Sequence, residues 1–307
     1  MKQGFVKVAS ATPRIRVADP VYNAQVICEQ AKEAAEHGAK IVVFPELCIT
    51  GYTCNDLFLQ ELLLEKAKEA LLTIAEETGQ LETLFLVGLP VDKDGRLYNV
   101  AAVLYRGRIL GMIPKKNIPM YAEFYEGRHF TPGEETVTEY RLGKQVIPFG
   151  SNLLFRCEEL PELILGCELC EDLWVAEPPS TSHALMGATV IANLSASNET
   201  VSKDDYRTLL IKASSARLLC GYIYTSAGEG ESTQDLVFGG HDLIAENGTL
   251  LVQSARFTTG ILYTDLDVLK ISSERRRMGT FGKRPMKPYL TVPFSMQLTG
   301  TCLLYTS

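Results

Sequence analysis

A cysteine, a glutamate and a lysine stand at three points where an apolar run of this chain gives way to polar residues. Cys170 lies in Gly166-Cys167-Glu168-Leu169-Cys170-Glu171-Asp172-Leu173-Trp174, Glu46 in Phe44-Pro45-Glu46-Leu47, and Lys115 in Ile113-Pro114-Lys115-Lys116-Asn117-Ile118-Pro119. Sulfur attacks a carbonyl carbon as the thiolate, and a cysteine of ordinary pKa, about 8.5, is only slightly ionised at neutral pH, so it needs a base or a positive neighbour. A carboxylate against an apolar wall has a raised pKa, takes the thiol proton and returns it to a leaving amine, while an ammonium lowers the thiol pKa and stabilises an oxyanion. The three together suffice for amide hydrolysis without histidine or metal.

Each residue also has a plainer reading: Cys170 as core packing, Glu46 as a helix cap or surface carboxylate, and Lys115 or Lys116 as an exposed lysine after a hairpin. The lysines have a less ordinary setting, stiffened by Pro114 and Pro119 and followed by Tyr121, Phe124 and Tyr125. Cys167 and Cys170 spell a CxxC, which raises zinc or redox chemistry. A zinc site needs a second ligand pair, and Cys48 with Cys54 has five intervening residues, wider than the usual tight pairs. If the strand runs through Cys167, residues three apart face opposite sides and the two sulfurs are set apart.

Strand-like runs recur at 5–10, 40–44, 84–88, 101–105, 163–168, 189–193 and 222–225. Asp19 caps a first helix, Pro20 fits its first turn, and Ala24, Ile27, Cys28, Ala31 and Ala35 form one face up to Gly38. Ser202 is expected to cap a second helix, with Tyr206, Leu209, Leu210, Ala213 and Arg217 spaced by three or four toward Gly221. Hairpins are expected across Arg106-Gly107-Arg108 and, for 237–244 with 249–253, across Glu246-Asn247-Gly248. Hairpins mixed with βα units predict a mixed sheet. After about Arg277 the pattern weakens: Lys283 to Pro293 reads as a connector, and Thr301 to Ser307 as an interrupted or foreign tail.

The 307 residues suit one large α/β domain or two ordinary ones, and 46% hydrophobic content supports a core. A net charge of −7 argues against nucleic acid or an anionic membrane as the main partner, despite Arg275-Arg276-Arg277. The N-terminus enters a strand-like pattern at once, leaving no room for a signal peptide, and no apolar run approaches the ~18 residues of a membrane span. A cytoplasmic protein is the expectation. Eight cysteines scattered through apolar segments are no disulfide framework and read as buried, reduced small hydrophobes.

Taken together and in order, the three segments resemble the nitrilase, or carbon-nitrogen hydrolase, superfamily with its Glu-Lys-Cys triad. Phe44-Pro45-Glu46-Leu47 with Thr50-Gly51-Tyr52, Pro114-Lys115 with Pro119-Met120-Tyr121 and Glu123-Phe124-Tyr125-Glu126, and Cys170-Glu171-Asp172-Leu173-Trp174 are similar to the amidase domain of glutamine-dependent NAD synthetases, from about residue 4 to about 280. The resemblance implies a four-layer α-β-β-α sandwich with mixed sheets, a carbon-nitrogen hydrolase domain over residues 1–277, and a connector and tail over 278–307. It implies Cys170 as nucleophile, Glu46 as general base and Lys115, not Lys116, as third member. Tyr121, Ser197 and Lys203 fall on the family's glutamine contacts, and the Glu171 backbone amide on the oxyanion. Relatives carry arginine at position 203, and a lysine cannot reproduce its bidentate grip on a carboxylate.

The implied activity is release of ammonia from L-glutamine through a thioester, needing no metal or cofactor. ATP and magnesium belong to a C-terminal synthetase domain, whose Ser-Gly-Gly type loop is not found in these residues. A homo-oligomer is implied too. The competing readings are a free-standing carbon-nitrogen hydrolase acting on another small amide or nitrile, and a non-catalytic assembly module.

Overall fold

Short β-branched runs hidden on both faces, such as Ile41-Val42-Val43, can only be strands between two covering layers. A computed structural model describes residues 4–282 and 288–297 and arranges such runs in two sheets. The first comprises β1 (Phe5–Thr12), β2 (Ile41–Val43), β3 (Leu84–Lys93), β4 (Arg96–Tyr105), β5 (Arg108–Pro114), β6 (Thr138–Leu142) and β7 (Gln145–Phe149). The second comprises β8 (Leu153–Cys157), β9 (Ile164–Leu169), β10 (Val190–Ser195), β11 (Gly221–Ser226), β12 (Leu243–Glu246) and β13 (Thr249–Gln253). The chain then returns to the first sheet with β14 (Gly260–Asp267) and to the second with β15 (Leu290–Phe294). The spatial orders are β14-β1-β2-β3-β4-β5-β7-β6 and β13-β12-β11-β10-β9-β8-β15.

Alternation along the strands divides the apolar residues among three layers. Val6, Val8, Ile41 and Val43 of the first sheet meet Phe155, Leu165, Val190 and Ile223 of the second. The opposite face of the first sheet, with Ala9, Val42 and Phe85, is covered by α1 (Pro20–Glu36) and α2 (Glu61–Glu77) through Ile27, Ala31, Leu71 and Ile74. Ala184 of α3 (Pro179–Leu185) and Ile211 of α4 (Lys203–Leu218) cover Ile191 and Tyr222 on the second. The result is the expected four-layer α-β-β-α sandwich of mixed sheets. A last helix, α5 (Val268–Arg277), follows β14.

Asp19 caps α1 by accepting from Tyr22 N–H at 3.1 Å, and the inward stripe is as read except that Ala34, not Ala35, is fully buried. The expected two-residue turns are present, with Arg106-Gly107 and Asn247-Gly248 both at positive φ; Asp94-Gly95 closes a third hairpin, β3–β4, in the same way. Of residues 237–244, only the last two are strand.

Three expectations are corrected. Ser202 precedes α4, but at φ +62 its hydroxyl caps nothing. The face of α4 read as apolar points outward, with Tyr206 55% and Leu209 63% exposed, while Arg207, Ile211, Ser214, Ser215 and Leu218 are buried. Spacing alone cannot tell which of two stripes meets the sheet. Within the presumed connector, Leu290–Phe294 pairs in parallel with β8 and closes the edge of the second sheet. Met1 to Gln3, Lys283 to Lys287, Cys302 and the presumed tail from Thr301 to Ser307 lie outside the described residues. Among the described residues no helix is long and apolar enough to cross a membrane.

Candidate active site

Four of the expected residues follow the C-terminal ends of strands: Glu46 after β2, Lys115 after β5, Cys170 after β9 and Ser197 after β10. Glu46 N–H donates to Ser195 O at 3.3 Å, joining the two sheets where these ends meet. The turn after β2 lies so close to β3 that a Cβ on Gly88 would stand 2.2 Å from Leu47 N. Only glycine allows that approach.

Glu46 and Lys115 are fully buried and form one hydrogen-bonded cluster. Lys115 Nζ donates to Glu46 Oε1 at 2.7 Å and to Glu126 Oε1 at 2.6 Å; Asn99 Nδ2 donates to Glu46 Oε1 at 2.7 Å. Tyr52 O–H donates to Glu126 Oε1 at 2.9 Å. One ammonium thus serves two carboxylates, and a buried charge persists only where paired and hydrogen-bonded. Burial pushes the Glu46 carboxyl up to about 7; Lys115 opposes this and the negative Glu126 adds to it. The two carboxylates hold the Lys115 proton firmly, its value standing well above the ordinary one despite burial.

Cys170 begins a short 3-10 turn, Cys170–Leu173, at φ +39, a conformation side chains rarely adopt and one that re-aims the thiol at the strand end. Asp172 locks this elbow to the lysine segment, accepting from Leu169 N–H at 3.1 Å and from the backbone and side-chain amides of Asn117 at 2.8 and 2.7 Å. Burial pushes the Cys170 thiol up to about 12, with Glu46 adding and Lys115 opposing. Burial thus favours the protonated form of both groups, and the thiol keeps its proton at neutral pH.

Cys170 opens on a cavity of about 1000 Å³, mouth included, whose walls also hold Tyr121, Glu171, Ser197 and Lys203. Every expected substrate contact thus faces one space with the thiol. Tyr121 O–H donates to Glu171 at 3.0 Å, and Lys203 Nζ donates to Asn198 Oδ1 while lying 5.2 Å from the Trp174 ring centroid and 5.6 Å from that of Phe124. Lys116 instead pairs with Glu135 at 2.5 Å near the surface. Cys167 packs between the sheets, so the CxxC sulfurs do face different surroundings, and among the described residues no His, Cys, Asp and Glu cluster could hold a metal.

Sequence reasoning gave no role to Glu126, Asn99 or Tyr52. Two had a signal: Tyr52 ends the Thr50-Gly51-Tyr52 segment, and Glu126 stands eleven residues after Lys115 among aromatics. Asn99, inside the apolar strand β4, was visible only as a polar residue with no solvent face.

The sequence pattern of carbon-nitrogen hydrolases matches residues 7–276. The chain belongs to the carbon-nitrogen hydrolase family. Among its relatives, the glutamine-dependent NAD(+) synthetase of Mycobacterium tuberculosis is 43% identical over 282 residues, covering 91% of this chain and 42% of that protein. That of Thermotoga maritima is 32% identical over 296 residues, covering 94% and 47%. The chain thus spans less than half the length of these relatives. A solved glutamine-dependent NAD(+) synthetase from Cytophaga hutchinsonii superposes with a TM-score of 0.77 at 28% identity, over 85% of this chain and 43% of that one. An amidase from Nesterenkonia sp. shares the fold over 91% of this chain and 96% of its own, with a TM-score of 0.68 at 21% identity.

Proposed function

We propose that this chain is the glutamine-hydrolysing half of a glutamine-dependent NAD synthetase, releasing ammonia for a C-terminal synthetase domain that uses ATP and magnesium to amidate nicotinic acid adenine dinucleotide. The observation that carries the reading is that Cys170, near enough to the buried Glu46–Lys115 pair to feel both charges, lines one cavity with Tyr121, Ser197 and Lys203. Relatives twice as long, named for glutamine-dependent NAD(+) synthesis, support the rest.

Glu46 takes the Cys170 proton as sulfur bonds to the side-chain amide carbon of glutamine, and the oxyanion formed is met by Lys115 and the Glu171 N–H. The carbon–nitrogen bond breaks as Glu46 passes its proton to the leaving nitrogen, so ammonia departs and a thioester remains. The same carboxylate, ionised again, takes a proton from water as its oxygen attacks the thioester; glutamate leaves and the proton returns to sulfur. Because burial raises the thiol, the first step depends on Glu46 rather than on a preformed thiolate. The working protein is a homo-oligomer in the cytoplasm on this reading.

The test is ammonia and glutamate release from glutamine, compared with simple amides and ω-amidic acids, together with labelling by a glutamine-mimicking diazo-ketone. Glutamine turnover with label on Cys170 is expected. Turnover of other amides with none of glutamine would favour a free-standing hydrolase, and no labelling of Cys170 would remove the catalytic reading.

A further inference from the structure

Arg207 is a fully buried cation on the inner face of α4, one turn after Lys203. Its Nη1 donates to Glu199 Oε1 at 2.8 Å and to His241 Nδ1 at 3.0 Å, and its Nη2 to Ser197 Oγ at 3.3 Å and Asn198 O at 3.1 Å. Burial and the neighbouring guanidinium push His241 down to about 4, so the imidazole is neutral and accepts. The planar fork thus gathers the Ser197–Glu199 segment and His241 onto the helix in a way a lysine cannot.

The hydrogen-bond directions have a chemical consequence. A guanidinium has donors and no acceptor, so Ser197 Oγ must accept from Arg207. The Ser197 backbone N–H is occupied separately, donating to Ser226 Oγ at 3.3 Å. The serine hydrogen is then left for the cavity that Ser197 lines. Asn198, whose carbonyl Arg207 holds, presents its side-chain amide to Glu123 and its side-chain oxygen to Lys203 Nζ, so the ammonium is fixed to the same segment.

We propose that Arg207 is a positioning residue for substrate recognition: by donating to Ser197 Oγ it turns that hydroxyl into a donor toward the cavity, and with Lys203 makes this wall a receptor for a carboxylate group. The inference rests on the glutamine reading, whose α-carboxylate is the group received. Arg207 itself touches no substrate. One alternative home for the serine hydrogen exists, the buried Tyr224 phenol beside Ser195 and Ser197, although that hydroxyl closes no hydrogen bond of acceptable geometry.

The experiment compares glutamine KM and kcat with the rate at which iodoacetamide, which carries no carboxylate, alkylates Cys170. Arg207→Lys is expected to raise KM about tenfold or more while changing kcat less than about threefold and leaving alkylation unchanged. Ser197→Ala should do the same, and the double variant should raise KM by clearly less than the product of the two single effects, because the arginine acts in part through the serine. An unchanged KM in Arg207→Lys, an equal loss toward iodoacetamide, or additive effects in the double variant overturns the inference. Should Arg207→Lys not fold, Ser197→Ala carries the test, and an unchanged KM there overturns it. Tyr224→Phe is expected to leave KM unchanged; a rise means that the hydrogen goes to the phenol, and the inference fails. A native protein that hydrolyses no glutamine defeats the proposed function instead, whereas native turnover with an unchanged KM in Arg207→Lys defeats this inference alone.

Discussion

Glu46 and Glu168 are both fully buried, and loss of water raises both to about 7, yet their surroundings differ in kind. Glu46 meets the Lys115 ammonium just after β5 and the Asn99 amide of β4, and its charge acts on the cavity thiol. Glu168, two residues before Cys170, faces the outer side of the second sheet, where Tyr222 O–H and Ser180 N–H (2.8 Å) donate to it. Tyr222 in turn accepts from Asn193 Nδ2 at 3.2 Å, and Asn193 Oδ1 from Ser195 Oγ at 2.7 Å, so neutral donors rather than an ammonium meet Glu168. A raised carboxyl pKa is therefore no mark of catalysis. What distinguishes Glu46 is the Lys115 ammonium bonded to it and a cavity thiol close enough to feel its charge.

The comparison breaks at once if the thiol is dispensable. Cys170→Ala should reduce glutamine hydrolysis about 10⁴-fold or more with the circular dichroism spectrum unchanged, since no neighbouring group can form the thioester. Next in size, Glu46→Gln should lower kcat about 10²–10⁴-fold, while Glu168→Gln should stay within about tenfold of native. Equal losses in steady-state kinetics would make Glu168 part of the chemistry.

A stability measurement sharpens the contrast from the other side. The folded value of Glu168 lies above the ordinary value of about 4.3, so folding favours its proton; the stability this contributes is present below that value and lost as pH rises through about 7. Glu168→Gln cannot titrate there. Urea unfolding should show the native advantage over Glu168→Gln shrinking by roughly 3 kcal/mol between about pH 4 and pH 8; a constant difference would deny the raised value.

The smallest expected effect concerns Glu126. As the proposed base, Glu46 must be ionised, so kcat/KM should rise with pH through about 7 and level above it. Glu126 raises Glu46, and Glu126→Gln should move this midpoint down by about one unit or less, whereas Glu168→Gln should leave it in place. A midpoint that follows Glu168 would reverse the assignment.

The legible part of the site was local. Glu46, Lys115 and Cys170 each end an apolar strand, and a change from apolar run to polar turn is written in consecutive residues. The α1 stripe and the Arg106-Gly107 and Asn247-Gly248 turns were legible for the same reason. The α4 face was not. Tyr206, Leu209 and Leu210 form a plausible apolar stripe, and the stripe that is buried contains an arginine and two serines. A charged residue belongs inside only when acceptors from other segments meet it, as Glu199, His241 and Ser197 meet Arg207. β15 escaped notice because its partner β8 lies more than 130 residues earlier and parallel pairing needs no local turn.

By itself the sequence determined which strand ends carry a thiol, a carboxylate and an ammonium, because covalent order and hydrophobic period are local properties. Only the tertiary structure decided that Lys115 would be shared between Glu46 and Glu126, that Glu168 would meet Tyr222 and Ser180 on the outer side of the second sheet, and that Arg207 would stand behind Ser197. Those outcomes depend on where charges lose their water and what meets them there, and chain order does not specify it.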